Sequence, residues 1–164
     1  MSTRNYVDTL TRLKPGELGL LRTHAGYGID QSSQAFDLFA GIWWPLRQKN
    51  KASPRREVAW LVAKLYACYP LPQSYGDTLA WQLSFCQPRA GPERIRFRKR
   101  FDRLLAEPMA NLEEPLGWAL DCIRDNCRSV DWVKLTDDLS IWERETKRLE
   151  WAKEFLSEKQ QGEV

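Results

Sequence analysis

The sequence has few of the residues from which metal centres and nucleophilic active sites are built. Its 164 residues include one histidine, His24, and four cysteines without a Cys-x-x-Cys pair: Cys68, Cys86, Cys122 and Cys127. Zinc ligation and triad catalysis need such residues in sets, so neither is expected. No Walker loop, Gly-x-Gly-x-x-Gly or Gly-x-Ser-x-Gly sequence occurs. We therefore expect a protein that is not an enzyme and binds no cofactor or metal.

Long apolar runs are also missing. The chain never reaches the ~18 consecutive apolar residues that a membrane-spanning helix requires. The segment Met1–Asp8 is polar and does not resemble the apolar core of a signal peptide. We expect a cytoplasmic protein with no membrane partner, whose cysteines are reduced thiols.

The pattern of apolar residues predicts an all-α protein, a helical bundle with two small helical lobes. Hydrophobic residues make up 43% of the chain and charged residues 29%, as is typical of a folded domain. Apolar and polar residues do not alternate with the period of two that is typical of β-strands. Instead, Pro and Gly separate segments in which apolar residues recur at helical spacing. Pro45 is expected to end the third helix, and residues 46–53 to form an exposed basic loop. The predicted helices cover residues 5–13, 15–25, 33–44, 54–69, 79–85, 92–106, 112–127, 132–141 and 143–159.

Charge is distributed unevenly along the chain. Residues 1–103 contain 17 Lys/Arg and 8 Asp/Glu, whereas residues 104–164 contain 8 and 14. The predicted helices are interrupted near residues 107–111, close to the point where the net charge changes sign. We therefore predict an N-terminal basic lobe, 1–106, and a C-terminal acidic lobe, 107–164; the alternative is one continuous domain. A basic region of this kind favours a polyanionic partner.

One basic segment, residues 92–105, separates its charges from its apolar residues. At 100° per residue, one face of the predicted helix contains Phe97, Phe101, Leu104 and Leu105. The roughly opposite face contains Arg96, Lys99, Arg100 and Arg103. A rigid row of cations can neutralise several phosphates at once, and Arg adds forked hydrogen bonds to phosphate oxygens. The alternatives are a solvated helix face and ion pairs with the acidic region.

Two further groups of cations could extend this surface. The first contains no acidic residue and consists of Arg47, Lys49, Lys51, Arg55 and Arg56. The second lies on the predicted last helix, where Trp151 and Phe155 share a face with Arg144, Lys147 and Arg148. Aromatic residues among cations can stack on bases, but core packing is the favoured interpretation of Trp151. The first group could equally be a solubilising loop.

The order of several motifs resembles the CasB family, the small subunit of the type I-E CRISPR surveillance complex Cascade. The C-terminal motif is VDW, a DL pair, Trp, then Arg-x-x-Trp-Ala and an aromatic residue. Its members here are Val130, Asp131, Trp132, Asp138, Leu139, Trp142, Arg148, Trp151, Ala152 and Phe155. Residues 99–105 (KRFDRLL) and 15–26 (PGELGLLRTHAG) resemble the family's central and early motifs. Glu150 departs from the family, which often has a basic residue there, so Glu150 is not counted as a contact.

The resemblance implies a two-lobed helical subunit without a catalytic role in antiviral defence. Its partners would be a second copy of itself, the large subunit and the backbone subunits that carry the guide RNA. Its basic face would hold the backbones of the target DNA and the displaced strand in the R-loop, while base pairing with the guide supplies specificity. A free-standing helical DNA-binding regulator and a pure protein scaffold remain as alternatives.

The expected nucleic-acid contacts differ in what supports them. Lys99, Arg100 and Arg103 come first, because both the helix geometry and the central motif select them. The early and late motifs add Arg22 and Arg148. The remaining candidates rest on position or on helical geometry alone: Arg55, Arg56, Arg96, Arg144 and Lys147.

Overall fold

The computed structural model describes residues 2–49 and 54–162, and their regular structure is helical. No strand occurs among these residues beyond a single bridge between Gln73 and Val130, so the predicted all-α class is confirmed. Short 3-10 turns cover Ile29–Gln31 and Met109–Asn111. The helices are α1 (Ser2–Thr11), α2 (Pro15–Thr23), α3 (Ser33–Lys49), α4 (Arg56–Cys68), α5 (Leu79–Ser84), α6 (Gly91–Ala106), α7 (Glu113–Arg124), α8 (Trp132–Ser140) and α9 (Glu145–Gly162).

The described residues form two compact units, and the chain passes between them three times. Unit 1 is the described part of Met1–Pro72 together with Trp132–Ser140, and unit 2 consists of Gln73–Asp131 and the described part of Ile141–Val164. This grouping differs from the expected division between residues 106 and 107. Helices α6 and α7 flank that position, yet both belong to unit 2 because they pack against each other. The change of charge sign therefore falls inside one unit, since charge pattern does not determine packing.

Helix α4 is the centre of unit 1. Residues 58–67 are all buried, because α4 packs against α2, α3 and α8 and is covered on every side. From α1, the Tyr6 hydroxyl donates a hydrogen bond of 2.6 Å to the carbonyl of Ala59. From α8, Trp132 packs edge-on against Tyr66, with ring centroids 5.3 Å apart. Thus α8, although distant in sequence, completes this core.

The core of unit 2 is rich in stacked aromatic rings. Phe101 of α6 stacks on Phe155 of α9 at 4.1 Å between ring centroids. Trp142 packs edge-on against Trp151 at 5.0 Å, and its indole N–H donates to the Glu107 carbonyl at 2.9 Å. Both tryptophans are essentially inaccessible to solvent. The core interpretation of Trp151 is therefore confirmed. The motif residues Trp132, Leu139 and Trp142 are buried as well.

The prediction that Pro45 ends the third helix is wrong. Helix α3 continues through Pro45 to Lys49, so residues 46–49 are helical rather than part of a loop. An interior proline costs about 3 kcal/mol. Tertiary packing offsets this cost, because Phe39 stacks on Trp43 at 5.6 Å and the Trp43 indole donates to the Pro54 carbonyl at 2.6 Å. The helix predicted at residues 54–69 is present as α4, which begins at Arg56.

Candidate nucleic-acid interface

The amphipathic helix predicted at residues 92–106 is present as α6. Gly91, at φ +85°, turns the chain into this helix. The apolar face is directed inward as predicted: Phe101 and Leu104 are buried, and Phe97 and Leu105 are half-buried. This packing fixes the rotation of α6 and hence the direction in which its opposite face points.

The opposite face of α6 presents four exposed cations, here called the α6 basic stripe: Arg96, Lys99, Arg100 and Arg103. Among the residues that the structure describes, Arg96, Lys99 and Arg103 have no carboxylate within ion-pair distance. Arg100 has one, with its guanidinium 3.4 Å from a carboxylate oxygen of Glu114. Both side chains of this pair are exposed, and such pairs contribute only ~0–1 kcal/mol. Ion pairs with acidic residues therefore involve only one of the four stripe cations among the described residues.

A groove of about 530 Å³ adjoins the α6 basic stripe within unit 2. Its lining consists of the four stripe cations together with Glu93, Phe97 and Trp118. Trp118 of α7 is half-buried and lies 5.0 Å from Phe97 between ring centroids. The guanidinium carbon of Arg100 lies 4.9 Å from the centroid of the Trp118 ring. Cations and aromatic surface thus meet in one accessible place.

Sequence reasoning did not identify Trp118. At 100° per residue, Trp118 lies on the side of α7 opposite the buried Leu116 and Ile123. It is therefore a large aromatic residue on the polar side of an amphipathic helix. That position, outside the buried stripe of α7, is the signal by which it could have been found.

The candidate arginines of unit 1 contact helix ends. The Arg22 Nε–H donates to the carbonyl of Ala67 at 3.0 Å, in the last turn of α4. Arg55 is half-buried, and its Nη1 donates to the Ser140 carbonyl at 2.9 Å, at the end of α8. Last-turn carbonyls lack partners within their own helix, so these arginines have a structural role.

The other unit 1 cations are more accessible. Arg56 is exposed and lies 3.4 Å from Glu57, the nearest acidic residue in sequence. On α3, Arg47 is half-buried and Lys49 is exposed, whereas Lys51 lies outside the described residues. The group predicted at residues 47–56 therefore does not form a single exposed loop.

The cations at the start of α9 differ from their predicted arrangement. Arg144 is exposed, immediately before the helix. Lys147 is predicted as a nucleic-acid contact, but it is only 8% exposed and its ammonium contacts the Glu150 carboxylate. The physical reason is that Lys147 shares its face with the buried rings of this helix. The Arg148 Nε–H donates to the Trp142 carbonyl at 3.1 Å, and its guanidinium lies over the Trp142 ring.

Three of the cysteine thiols have raised pKa values. Burial raises the pKa of Cys86 to about 11 and also raises the pKa values of Cys122 and Cys127. These thiols are therefore protonated at neutral pH and are poor nucleophiles. In the described part of the chain, no three His, Cys, Asp or Glu residues are grouped as metal ligands would be. Nor does any helix of residues 2–49 and 54–162 have the length and apolar character to cross a membrane.

Comparison with family models identifies one family, and comparison with solved structures identifies similar folds. The family described as CRISPR-associated protein Cse2 matches residues 17–156. A crystal structure of CasB from Thermus thermophilus is 22% identical with a TM-score of 0.74, covering 94% of this chain and 97% of that chain. The crystal structure of M. ruber CasB is 21% identical with a TM-score of 0.73, covering 99% and 97% respectively. No curated protein sequence matches significantly. The structural likenesses show a shared fold along nearly the whole chain.

Proposed function

The chain belongs to the Cse2 family of CRISPR-associated proteins, and on that premise we propose that it stabilises the R-loop of a type I-E RNA-guided surveillance complex. In this role it is a non-catalytic small subunit that holds the backbones of the opened DNA strands. The proposal extends family membership to a particular contact, the α6 basic stripe.

The observation that carries the proposal is the accessibility of this stripe. Its four cations project from one rigid helix, and three have no carboxylate within ion-pair distance among the described residues. Phosphates repeat regularly along a strand, so a fixed row of cations can replace several counterions together. Backbone contacts carry no sequence information directly, which suits a complex whose specificity comes from guide pairing.

The remaining candidate cations are proposed as flanking contacts. Arg56 and Arg144 are exposed, and Arg22 and Arg148 have N–H groups beyond the carbonyl bonds described above. Arg55 is half-buried, donates to the Ser140 carbonyl and lies 3.8 Å from the Glu57 carboxylate, so a phosphate would have to compete with these contacts. Lys147 is the weakest candidate, because a phosphate would have to compete with Glu150 in a nearly buried position.

The proposed protein partners are the large subunit, the backbone subunits that carry the guide RNA and a second copy of this chain. We expect the acidic C-terminal part to orient such contacts, since charge complementarity sets orientation more than affinity. The free-standing regulator is disfavoured because the α6 basic stripe contains no Asn or Gln, the residues that read adenine.

Gentle isolation of the tagged chain from its native host tests this proposal. We expect a large particle that contains several other proteins and a short, uniform, repeat-derived RNA. A small species without RNA would contradict stable membership of such a complex. In that case, a strong preference for one duplex sequence would identify a regulator instead, and the absence of any nucleic-acid binding would identify a scaffold.

A further inference from the structure

The groove beside the α6 basic stripe has cationic side chains on one side and aromatic side chains on the other. On a helical projection of α6, Lys99 and Arg103 lie farthest from the apolar face, and Arg100 lies between them and Phe97. Trp118 then contacts Phe97 and Arg100 from α7. A strand held by its phosphates on Lys99 and Arg103 would therefore have aromatic surface directly beside it.

Arg100 and Trp118 together provide a flat surface of the kind on which bases stack. The Arg100 guanidinium lies 4.9 Å from the Trp118 ring centroid. Its ion pair with Glu114 and its cation–π contact with Trp118 are both made by an exposed guanidinium and are individually weak, so Arg100 can leave this position at modest cost. A base can then stack on the guanidinium plane, or it can replace the guanidinium on the indole while Arg100 contacts a phosphate.

Two carboxylates restrict where the phosphate backbone of a bound strand can lie. Glu93 lines the groove, and Glu114 is paired with Arg100 beside it. Both repel phosphate, whereas neither opposes an uncharged base. The phosphates are thus directed toward Lys99 and Arg103, and the base toward Trp118.

We infer that this groove is a stacking site for one unpaired base of a single strand, with Trp118 as its platform. The inference rests on the proposed function, because it assumes that the α6 basic stripe holds a nucleic-acid backbone. It adds a preference for unpaired strands over duplexes, which phosphate contacts alone do not give. In a duplex, base faces are already stacked on their neighbours, so this site favours an unpaired strand.

Binding of the intact chain to matched oligonucleotides at low salt tests the inference. The probes are an end-labelled dT oligonucleotide of about 15 nucleotides, an abasic oligomer of equal length and charge, and a duplex of the same length. Fluorescence anisotropy gives the affinities of the wild type, Trp118→Ala and Trp118→Phe. Trp44→Ala is the matched control, since Trp44 is a half-exposed tryptophan on α3, in unit 1.

We expect Trp118→Ala to weaken dT binding by about fivefold or more, which is the lower range for losing one stacked base. Binding of the abasic oligomer should be unchanged in this variant. Trp118→Phe should retain most of the dT affinity, because an aromatic ring is kept. This variant also allows the inference to be tested if the alanine variant does not fold. Trp44→Ala should bind all three probes as the wild type does.

The outcomes separate this inference from the proposed function. If the wild type binds dT and abasic oligomers equally and the Trp118 variants change neither, the stacking site is refuted while backbone binding stands. If Trp118→Ala weakens both probes alike, Trp118 only supports the fold of the groove, and the inference is again refuted. If the wild type binds none of the probes, both proposals are contradicted.

Discussion

Reversing three charges of the α6 basic stripe should abolish most sequence-independent binding of a single strand. The perturbation is the triple variant Lys99→Glu, Arg100→Glu and Arg103→Glu. In the wild type, three to four neutralised phosphates give a slope of log affinity against log salt of about −2 to −3 on a single strand. At ~0.1 M salt each phosphate contact contributes about 0.7 units to the logarithm of the binding constant, so the loss of three contacts lowers the affinity about 100-fold. This value is a lower bound, because the new carboxylates also repel phosphate.

Fluorescence anisotropy with a labelled oligonucleotide, repeated over a range of salt concentrations, measures both the affinity and the slope. The matched control reverses three exposed cations outside the groove, Arg12, Arg128 and Lys153, and so makes the same change in net charge. Circular dichroism verifies that both variants remain helical, as expected for changes at exposed positions.

The reasoning would be refuted if the control lost as much affinity as the stripe variant. Net charge, rather than the geometry of α6, would then account for binding. An unchanged affinity and slope in the stripe variant would refute it more directly, since no phosphate would be neutralised at this face.

Three further predictions concern stability, ion pairing and thiol chemistry. Trp142→Ala should lower the free energy of unfolding by about 3–5 kcal/mol in urea denaturation, because the ring is fully buried and donates to the Glu107 carbonyl. Glu114→Gln should raise nucleic-acid affinity by up to about fivefold in the anisotropy assay, because it releases Arg100 and removes a negative charge. At pH 8, iodoacetamide should modify Cys86 roughly 100-fold more slowly in the folded than in the unfolded chain, since its pKa is raised to about 11 from 9.0. The rate, followed by mass spectrometry, should rise with pH up to that value.

Each of these predictions has its own contradicting result. Trp44→Ala removes a half-exposed ring and should leave stability nearly unchanged, so equal losses in the two tryptophan variants would contradict the core role of Trp142. A lower affinity in Glu114→Gln would mean that Glu114 orders Arg100 for binding rather than competing with phosphate. Equal alkylation rates in the native chain and in urea would contradict the burial of the Cys86 thiol.

The sequence predicts those features that depend on neighbouring residues. The two faces of α6 follow from a period of 3.6 residues, and the structure buries Phe101 and exposes Lys99 as that period requires. The burial of Trp132 and Trp142 follows from their size and from the motif that contains them.

Features that depend on distant contacts are not predictable in this way. Helix α8 belongs to unit 1 because Trp132 packs on Tyr66, a contact between residues far apart in sequence. The continuation of α3 through Pro45 likewise depends on tertiary aromatic packing. The helical projection places Lys147 on the same face as Trp151 and Phe155, but it does not show whether other helices cover that face, and in the structure all three residues are buried.

The groove also depends on a contact between helices. Trp118 and the α6 basic stripe are brought together by the packing of α6 on α7. Neither helix alone indicates that an aromatic surface lies beside the cations. Among the residues described, this juxtaposition is the main feature that the structure adds to the sequence-based site.

The most direct test of the proposed function is the lifetime of the R-loop in the assembled complex. Complexes would be reconstituted with guide RNA, target duplex and either the wild-type chain or the Lys99, Arg100 and Arg103 reversal variant. We predict that both assemble with the same subunits and guide, but that the R-loop of the variant dissociates faster, and increasingly so as salt is raised. Equal R-loop lifetimes in the two complexes would contradict the claim that the α6 basic stripe holds the opened DNA.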